Sequence, residues 1–497
     1  MKSAFNIAEN RITTFLSIIN KPARSSLLLT ATNIFAKCCS LVFTPIFTRI
    51  LSPTEYGAYS LFLSYLSVLL VIGTLEISQG SVYRAMQKQR DTLNLTLLTG
   101  VILTVLASVG ASVFFTIIMK FTGNGEIFPR SSIYLALLCI SNGIINLYLA
   151  KSRFLYRWRA ALVAACVQSF LIPILGILVI GYLGNGVDHV IAKISVALVL
   201  TLALSLVFLG IITVSAVREA RAHLRGFSPA VRAMKSSAKT LIKLSLPLLP
   251  YYLSIMLISQ ANRHFILNSF GEEAVAIYSV AYSLGIALSS AFSGIIGSLC
   301  PWIMRKIRAG EFLIIDKTTS ALIRIIGLGI ISVSAFFPEM LTLIAPKQYS
   351  SGLSVSIITA LSPLPLSLIS LTSSAMIARE RVKTVLLSGA VGATVAIALN
   401  PLLLPRLGIA FSALVTLISY SLVFLIQSLG IKRVLGRNMI SSLGFGTAFI
   451  STAFFLLLIY FLRDRLVIRA LISTVFFMAL ILTLRKSKWI LSERKVQ

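Results

Sequence analysis

The sequence predicts an all-α polytopic membrane protein, and three observations carry that prediction. Apolar runs of about 20 residues, the length a helix needs to cross a bilayer, recur along the whole chain. Of its 497 residues, 57% are hydrophobic and only 12% are charged, a balance that soluble domains do not show. The net charge of +30 is spread in short clusters between the apolar runs, which is the positive-inside pattern of membrane proteins. No nucleic-acid partner is expected from charge so distributed. The runs lack the alternation of barrel strands, and helices are the other way to satisfy a backbone in lipid.

Residues 1–24 are too polar for a span. Phe5, Ala8, Ile12, Phe15, Leu16 and Ile19 recur at helical spacing against Asn6, Glu9, Asn10 and Arg11, which predicts an amphipathic cytoplasmic segment lying on the membrane. No apolar core followed by a small-residue cleavage site marks a signal peptide. Fourteen spans are then predicted near 25–48, 57–78, 93–119, 132–150, 160–183, 187–213, 241–270, 273–300, 320–345, 352–378, 384–405, 408–431, 441–462 and 466–484. With alternate loops inside, the outer loops hold only Arg49, Lys120, Arg130, Lys347, Arg406, Arg463 and Arg465 of the basic residues, and acids balance them. Four more cations fall within spans: Lys37, Lys193, Arg263 and Arg469. The rest, with nearly all of the net charge, lie inside. Both termini are therefore expected in the cytoplasm.

The expected organisation is two six-helix lobes, 25–213 and 241–432, joined by a basic cytoplasmic linker at 214–240. Two further helices at 433–485 and a cytoplasmic tail at 486–497 follow. The stretch Leu241–Phe270 reads as the first helix of the second lobe. It carries Pro247 and Pro250, which bend a helix, and Asn262-Arg263, whose charge is costly in a membrane unless it faces a cavity or partner. Span one is followed by Pro53-Thr54-Glu55-Tyr56-Gly57-Ala58-Tyr59-Ser60, and span seven by Gly271-Glu272-Glu273-Ala274-Val275-Ala276-Ile277-Tyr278-Ser279. Both give an acidic turn, small residues and then Tyr-Ser, as internal repeats of transporters would.

Phe47-Thr48-Arg49-Ile50-Leu51-Ser52-Pro53-Thr54-Glu55-Tyr56-Gly57-Ala58-Tyr59 resembles the signature between the first two helices of bacterial polysaccharide flippases. These belong to the multidrug/oligosaccharidyl-lipid/polysaccharide exporter superfamily. Gly73-Thr74-Leu75-Glu76, followed by Tyr83-Arg84, is similar to the end of their second helix, and Leu246-Pro247 through Tyr278-Ser279 to their seventh and eighth. Where many of the family show Asp-Arg in helix seven, this chain has Asn262-Arg263, with no ionised acid at that position. The resemblance implies a flippase for undecaprenyl-diphosphate-linked oligosaccharide repeat units in the bacterial inner membrane, working by alternating access in O-antigen or lipopolysaccharide biosynthesis. It implies a lipid-linked oligosaccharide as substrate, membrane lipids around it, and a polysaccharide polymerase and chain-length regulator as partners. The alternatives are a cation-coupled multidrug antiporter of the same superfamily and a membrane polysaccharide polymerase.

The candidate site follows from polar residues inside spans. Asn33, Lys37, Ser40, Thr44 and Thr48 share one face of span one, where Lys37 lines a cavity or makes a buried structural contact. In span seven Tyr252, Ser259, Asn262 and Arg263 share a face that lines a cavity or lets Arg263 snorkel outward. Ser279, Tyr282 and Ser283 belong to a polar face of span eight, which serves substrate or plain helix packing. Glu76, at the inner end of span two, pairs with a cation, reaches the interface or titrates as a coupling site. Lys193 and Arg469, at the outer ends of their spans, are read as snorkelling. More cations than acids inside the membrane suit an anion such as a diphosphate, and suit a cationic drug poorly.

An enzyme is not expected. The outer loops are short, the acids scattered, and no glycine-rich phosphate loop with a lysine is present. His189, His223 and His264 have no metal-ligand spacing. No cofactor is called for; a proton or sodium gradient is the candidate driving force. Cys38, Cys39, Cys139, Cys166 and Cys300 all fall in or beside spans and imply no disulfide framework.

Overall fold

The computed structural model describes residues 21–79, 82, 85–86, 92–121, 131–155, 157–183, 188–223, 227–436, 439–440 and 442–486. Most of the expected amphipathic segment, the Tyr83-Arg84 pair and most of the tail lie outside them. The described residues are nearly all helical and contain no strand. Among the described residues ten helices are long and apolar enough to cross a membrane, or up to twelve if each of two bent pairs is one span.

The helices are α1 (Lys21–Ile50), α2 (Pro53–Gly73), α3 (Leu93–Phe121), α4 (Ser131–Phe154), α5 (Trp158–Cys166), α6 (Ile172–Leu183), α7 (His189–His223) and α8 (Phe227–Ser245). Then come α9 (Leu249–Ala309), α10 (Phe312–Ser334), α11 (Phe337–Ile344), α12 (Leu353–Ala360), α13 (Pro363–Ala378), α14 (Val382–Leu407), α15 (Ile409–Leu435), α16 (Ser442–Phe461) and α17 (Leu466–Lys486). The chain forms two compact units, Met1–Ser40 with Ile72–Leu246 and Leu41–Val71 with Pro247–Gln497. Nearly all of α2 thus packs with the carboxyl-terminal unit.

The segment between α1 and α2 shows why. Ser52 donates its backbone N–H and its hydroxyl to Glu55 Oε2, both at 2.8 Å, and its Oγ accepts from the Glu55 N–H at 3.2 Å. That is a capping box, with Pro53 at the first helical position where its missing donor costs nothing. Just before it, Thr48 Oγ1 donates to the Ile344 carbonyl at 2.8 Å and Arg49 to the Leu343 carbonyl at 2.9 Å. Those carbonyls end α11, where no helical donor reaches them and a cation is favoured. A Cβ on Gly57 would overlap the Glu272 carbonyl, so only glycine lets α2 approach there. The signature segment is a joint between helix ends.

In the carboxyl-terminal unit, Gly271 breaks the 61-residue α9 with φ 80° and ψ −177°, a conformation open to glycine. It separates expected spans seven and eight. α10 meets α11 at a 59° bend beside Pro338. The basic stretch expected as a linker is largely helical: α7 runs on to His223 and α8 begins at Phe227. Its Ala, Lys, Arg and Leu content supports a helix.

In the amino-terminal unit, Tyr148 of α4 stacks on Phe208 of α7, ring centroids 4.2 Å apart. Glu219 of α7 accepts from the N–H groups of Asn94 and Leu95 at the start of α3 (2.9–3.4 Å), capping it. Lys151 of α4, 8% exposed, donates to Asn94 Oδ1 at 2.6 Å. Between α5 and α6 the chain makes a π-helical segment, Val167–Leu171, directly before Pro173, and Gln168 in it donates to Asn142 Oδ1 of α4 at 3.1 Å.

Candidate functional site

Gly271 turns α9 back on itself, and the return leg brings residues 16 apart together. Asn262 Nδ2 donates to Tyr278 OH at 2.9 Å and to Thr416 Oγ1 at 2.6 Å. Its Oδ1 accepts from Asn400 at 3.1 Å, and Asn400 Oδ1 accepts from Ser412 at 2.7 Å. Asn262 and Asn400 are both fully buried. Both amide hydrogens of Asn262 are used, so it rivets both legs of α9, α14 and α15 together, a polar clip of the kind membrane helices use.

Arg263, one residue on and about 100° round the helix, faces elsewhere. Its Nε donates to Ser279 Oγ at 2.9 Å; its Nη1 donates to Gln260 Oε1 at 2.9 Å and to the Ser259 carbonyl at 3.3 Å. The guanidinium carbon lies 5.2 Å from the Tyr282 ring centre and 6.0 Å from that of Tyr278. Every partner is neutral. Among the described residues the ion pairs are Lys306–Glu311, Arg463–Asp464 and Arg469–Glu339, and none involves Arg263. Its Nη2 has no acceptor among them. An 8% exposed guanidinium held only by neutral oxygens and π faces keeps its full charge available to an anion.

Of the expected site residues, Arg263, Ser259 and Tyr282 come together here, with Asn262 beside them in the core. Tyr282 is buried and stacked on Tyr278, centroids 5.6 Å apart. Ser259 is half-buried, with its hydroxyl turned back to the Met256 carbonyl at 3.0 Å. Tyr252 is half-buried and about 16 Å further along α9 from Arg263 at 1.5 Å per residue; its ring lies 5.4 Å from that of Tyr251. The side chains of Asn33 and Lys37, on α1, lie outside the described residues. Gln260, Asn400, Thr416 and Ser412 were not singled out in the sequence. Asn400 has one local signal, a carboxamide in an apolar run directly before Pro401.

Glu76 stands outside the helix expected to hold it. α2 ends at Gly73, and Leu75 and Glu76 follow in left-handed backbone, φ 48° and 49°. That region is costly for residues other than glycine. The carboxylate is half-buried with no hydrogen bond or ion pair among the described residues, and burial pushes it up to about 7.

The two snorkelling expectations change. Lys193 is 5% exposed and Arg469 1%. Arg469 makes a bidentate pair with Glu339, one bond at 2.8 Å, and donates to the carbonyls of Ala335, Leu462 and Arg463. All five of its N–H groups are used. Its anion comes from 130 residues away in sequence, beyond what local pattern shows. No group of His, Cys, Asp and Glu among the described residues could hold a metal.

The helical fold is similar to that of solved membrane transporters. The lipid II flippase MurJ in an inward closed conformation matches it with a TM-score of 0.64 at 15% identity, covering 95% of this chain and 100% of that one. An outward-facing multidrug-resistance MATE transporter of the MOP superfamily matches at 0.55 and 16% identity, covering 84% and 96%. A MOP-superfamily transporter from Pyrococcus furiosus, described as having a binding pocket of reverse polarity, matches at 0.54 and 14%, covering 84% and 98%. Among curated proteins none matches the sequence. The model of the family described as polysaccharide biosynthesis protein matches residues 23–306, more than half of the chain, and the protein belongs to that family.

Proposed function

We propose that the protein flips an anionic lipid-linked oligosaccharide, an undecaprenyl-diphosphate-linked repeat unit, from the inner to the outer leaflet of the bacterial inner membrane. The observation that carries this reading is Arg263: buried, oriented by Ser279 and Gln260, and free of any carboxylate among the described residues. A cavity wall for a cationic drug would place an acid there, and this chain has Asn262 turned into the core instead. The family membership supports a role in polysaccharide biosynthesis, and the likeness to the lipid II flippase and to multidrug exporters supports a transporter mechanism by alternating access.

In this mechanism Arg263 meets the diphosphate through Nη2, with Ser279 and Gln260 fixing its plane and the Tyr282 ring supporting it from below. Hydroxyls and carboxamides around it suit sugar. Lys37 is the second candidate cation. Glu76, without an ion pair among the described residues and with its carboxyl pushed up to about 7 by burial, is the candidate for coupling to a proton gradient. The test is complementation of a flippase-null strain, with membrane levels checked by blot. Arg263→Ala and Lys37→Ala, at normal protein level, are expected to leave repeat units on the inner leaflet, and Lys37→Arg to retain much activity. Full surface polysaccharide from both alanine variants would end the cationic-contact mechanism. Normal glycan with changed drug resistance in the deletion strain would favour the antiporter.

A further inference from the structure

A second cation of the carboxyl-terminal unit has no carboxylate partner among the described residues, and it lines a groove. α10, α16 and α17 enclose a cavity of about 520 Å³. Its floor is the contact of α10 with α16: a Cβ on Gly327 would lie 2.9 Å from Thr452 Oγ1. Phe455 and Phe476, edge to face at 4.5 Å, wall one end. The frame is pinned on both sides of the groove. Ser473 donates to the Ser332 carbonyl at 2.7 Å, and Thr319 donates to the Met439 carbonyl at 3.3 Å. Ser451, exposed on the groove wall, turns its hydroxyl back to the Ala448 carbonyl at 3.1 Å, so it offers the groove a largely apolar face.

Arg324 lines the same groove and is exposed. Its Nε donates to the Ser320 carbonyl of its own helix at 3.3 Å; no carboxylate pairs with it among the described residues. It stands four residues into the span expected at 320–345, near one end of a helix pair apolar enough to span a membrane. A guanidinium there reaches the level of lipid phosphates, with which it can form charge-assisted hydrogen bonds. On α10 the lining continues from Arg324 to Ile331, about 10 Å at 1.5 Å per residue, which is roughly two thirds of one leaflet of a hydrocarbon core about 30 Å thick.

We infer that this groove holds an anionic phospholipid, one acyl chain lying between α10 and α16 and its phosphate on Arg324. The aromatic and aliphatic lining suits an acyl chain, the unpaired charge of Arg324 suits an anionic headgroup, and the pinned walls make the slot ready-made. The charge distribution of the loops puts the Arg324 end at the cytoplasmic leaflet. The lipid would act as a structural ligand, and the inference is independent of what the protein transports.

The test is native mass spectrometry of the full chain in detergent, titrated with phosphatidylglycerol or with phosphatidylcholine of the same chains. The wild type is expected to retain one phosphatidylglycerol in preference to phosphatidylcholine. Arg324→Gln should lose about tenfold in that affinity, the effect of one charge-assisted contact. Ser451→Trp, which fills the groove from an exposed position, should also lose it. Arg406→Gln, removing an exposed cation on α14, should not. Equal retention of both lipids, or wild-type affinity in Arg324→Gln, would overturn the proposal. Loss in Arg324→Gln with none in Ser451→Trp would overturn the groove, leaving a headgroup contact alone. Displacement of the lipid by an equal concentration of a polyprenyl phosphate would overturn the choice of occupant.

Discussion

Arg263 and Arg469 are both buried arginines of the same compact unit, and their surroundings differ in one respect. Arg469, 1% exposed, has five acceptors for five N–H groups, and two of those acceptors are the oxygens of Glu339. Arg263, 8% exposed, has neutral acceptors only and one nitrogen with none among the described residues. A neutralised, saturated arginine fastens helices. One whose charge is left standing costs stability, and a transporter of anions is a reason to keep it. On the proposed function the difference separates a rivet from a site, and it is visible only in the partners.

The largest effect should come from breaking the rivet. Glu339→Ala strands a buried guanidinium, which typically costs about 3–5 kcal/mol. Thermal unfolding in detergent should show a marked fall in midpoint, and adding Arg469→Met should restore much of it, because the stranded charge is then gone. A midpoint equal to wild type in Glu339→Ala would make the ion pair irrelevant. Arg263→Ala should do the reverse: little change in midpoint, and a loss of about 1.5–3 kcal/mol in binding of an anionic substrate.

Much of this was legible in the sequence. The many-spanning helical character was, because apolar length is a local property, although ten to twelve of the fourteen expected spans are found among the described residues, and Arg263 was, because a charge inside such a run stands out. Its partners were not. Ser279 and Tyr282 reach Arg263 only once Gly271 folds α9 back, and the 16-residue spacing is no helical period. Glu339 meets Arg469 across 130 residues, so Arg469 read as a snorkelling end. The most conspicuous stretch, Phe47–Tyr59, marked the family correctly, yet its residues serve helix ends: Ser52 and Glu55 cap α2, and Thr48 and Arg49 cap α11. A signature can record a joint as readily as a binding site.

That joint should yield a smaller effect. Ser52→Ala removes the cap of α2 and should cost about 1 kcal/mol of stability, read as a modest fall in midpoint with transport kept in proportion to protein level. A loss of transport without a loss of level would move the segment from joint to site.

A pH-dependent effect concerns Glu76. Its carboxyl is pushed up to about 7 in the fold, against an ordinary value near 4.5. Between those values the folded state holds a proton the unfolded state has lost. The stabilisation is therefore complete below about 4.5 and is lost as pH rises to about 7. The midpoint should fall across that window in the wild type, and Glu76→Gln should flatten the slope by this one group's share. An unchanged slope would leave Glu76 outside any proton linkage.

The central claim is that Arg263 carries an unneutralised charge for an anionic substrate. It is tested most directly by titrating purified wild type and Arg263→Gln with a lipid-diphosphate-linked sugar, with thermal midpoints measured on the same samples. The account predicts a roughly 10- to 100-fold weaker affinity in the variant, at an unchanged midpoint and with a weaker dependence on salt. Equal affinity, or a loss explained by a collapsed midpoint, would contradict it.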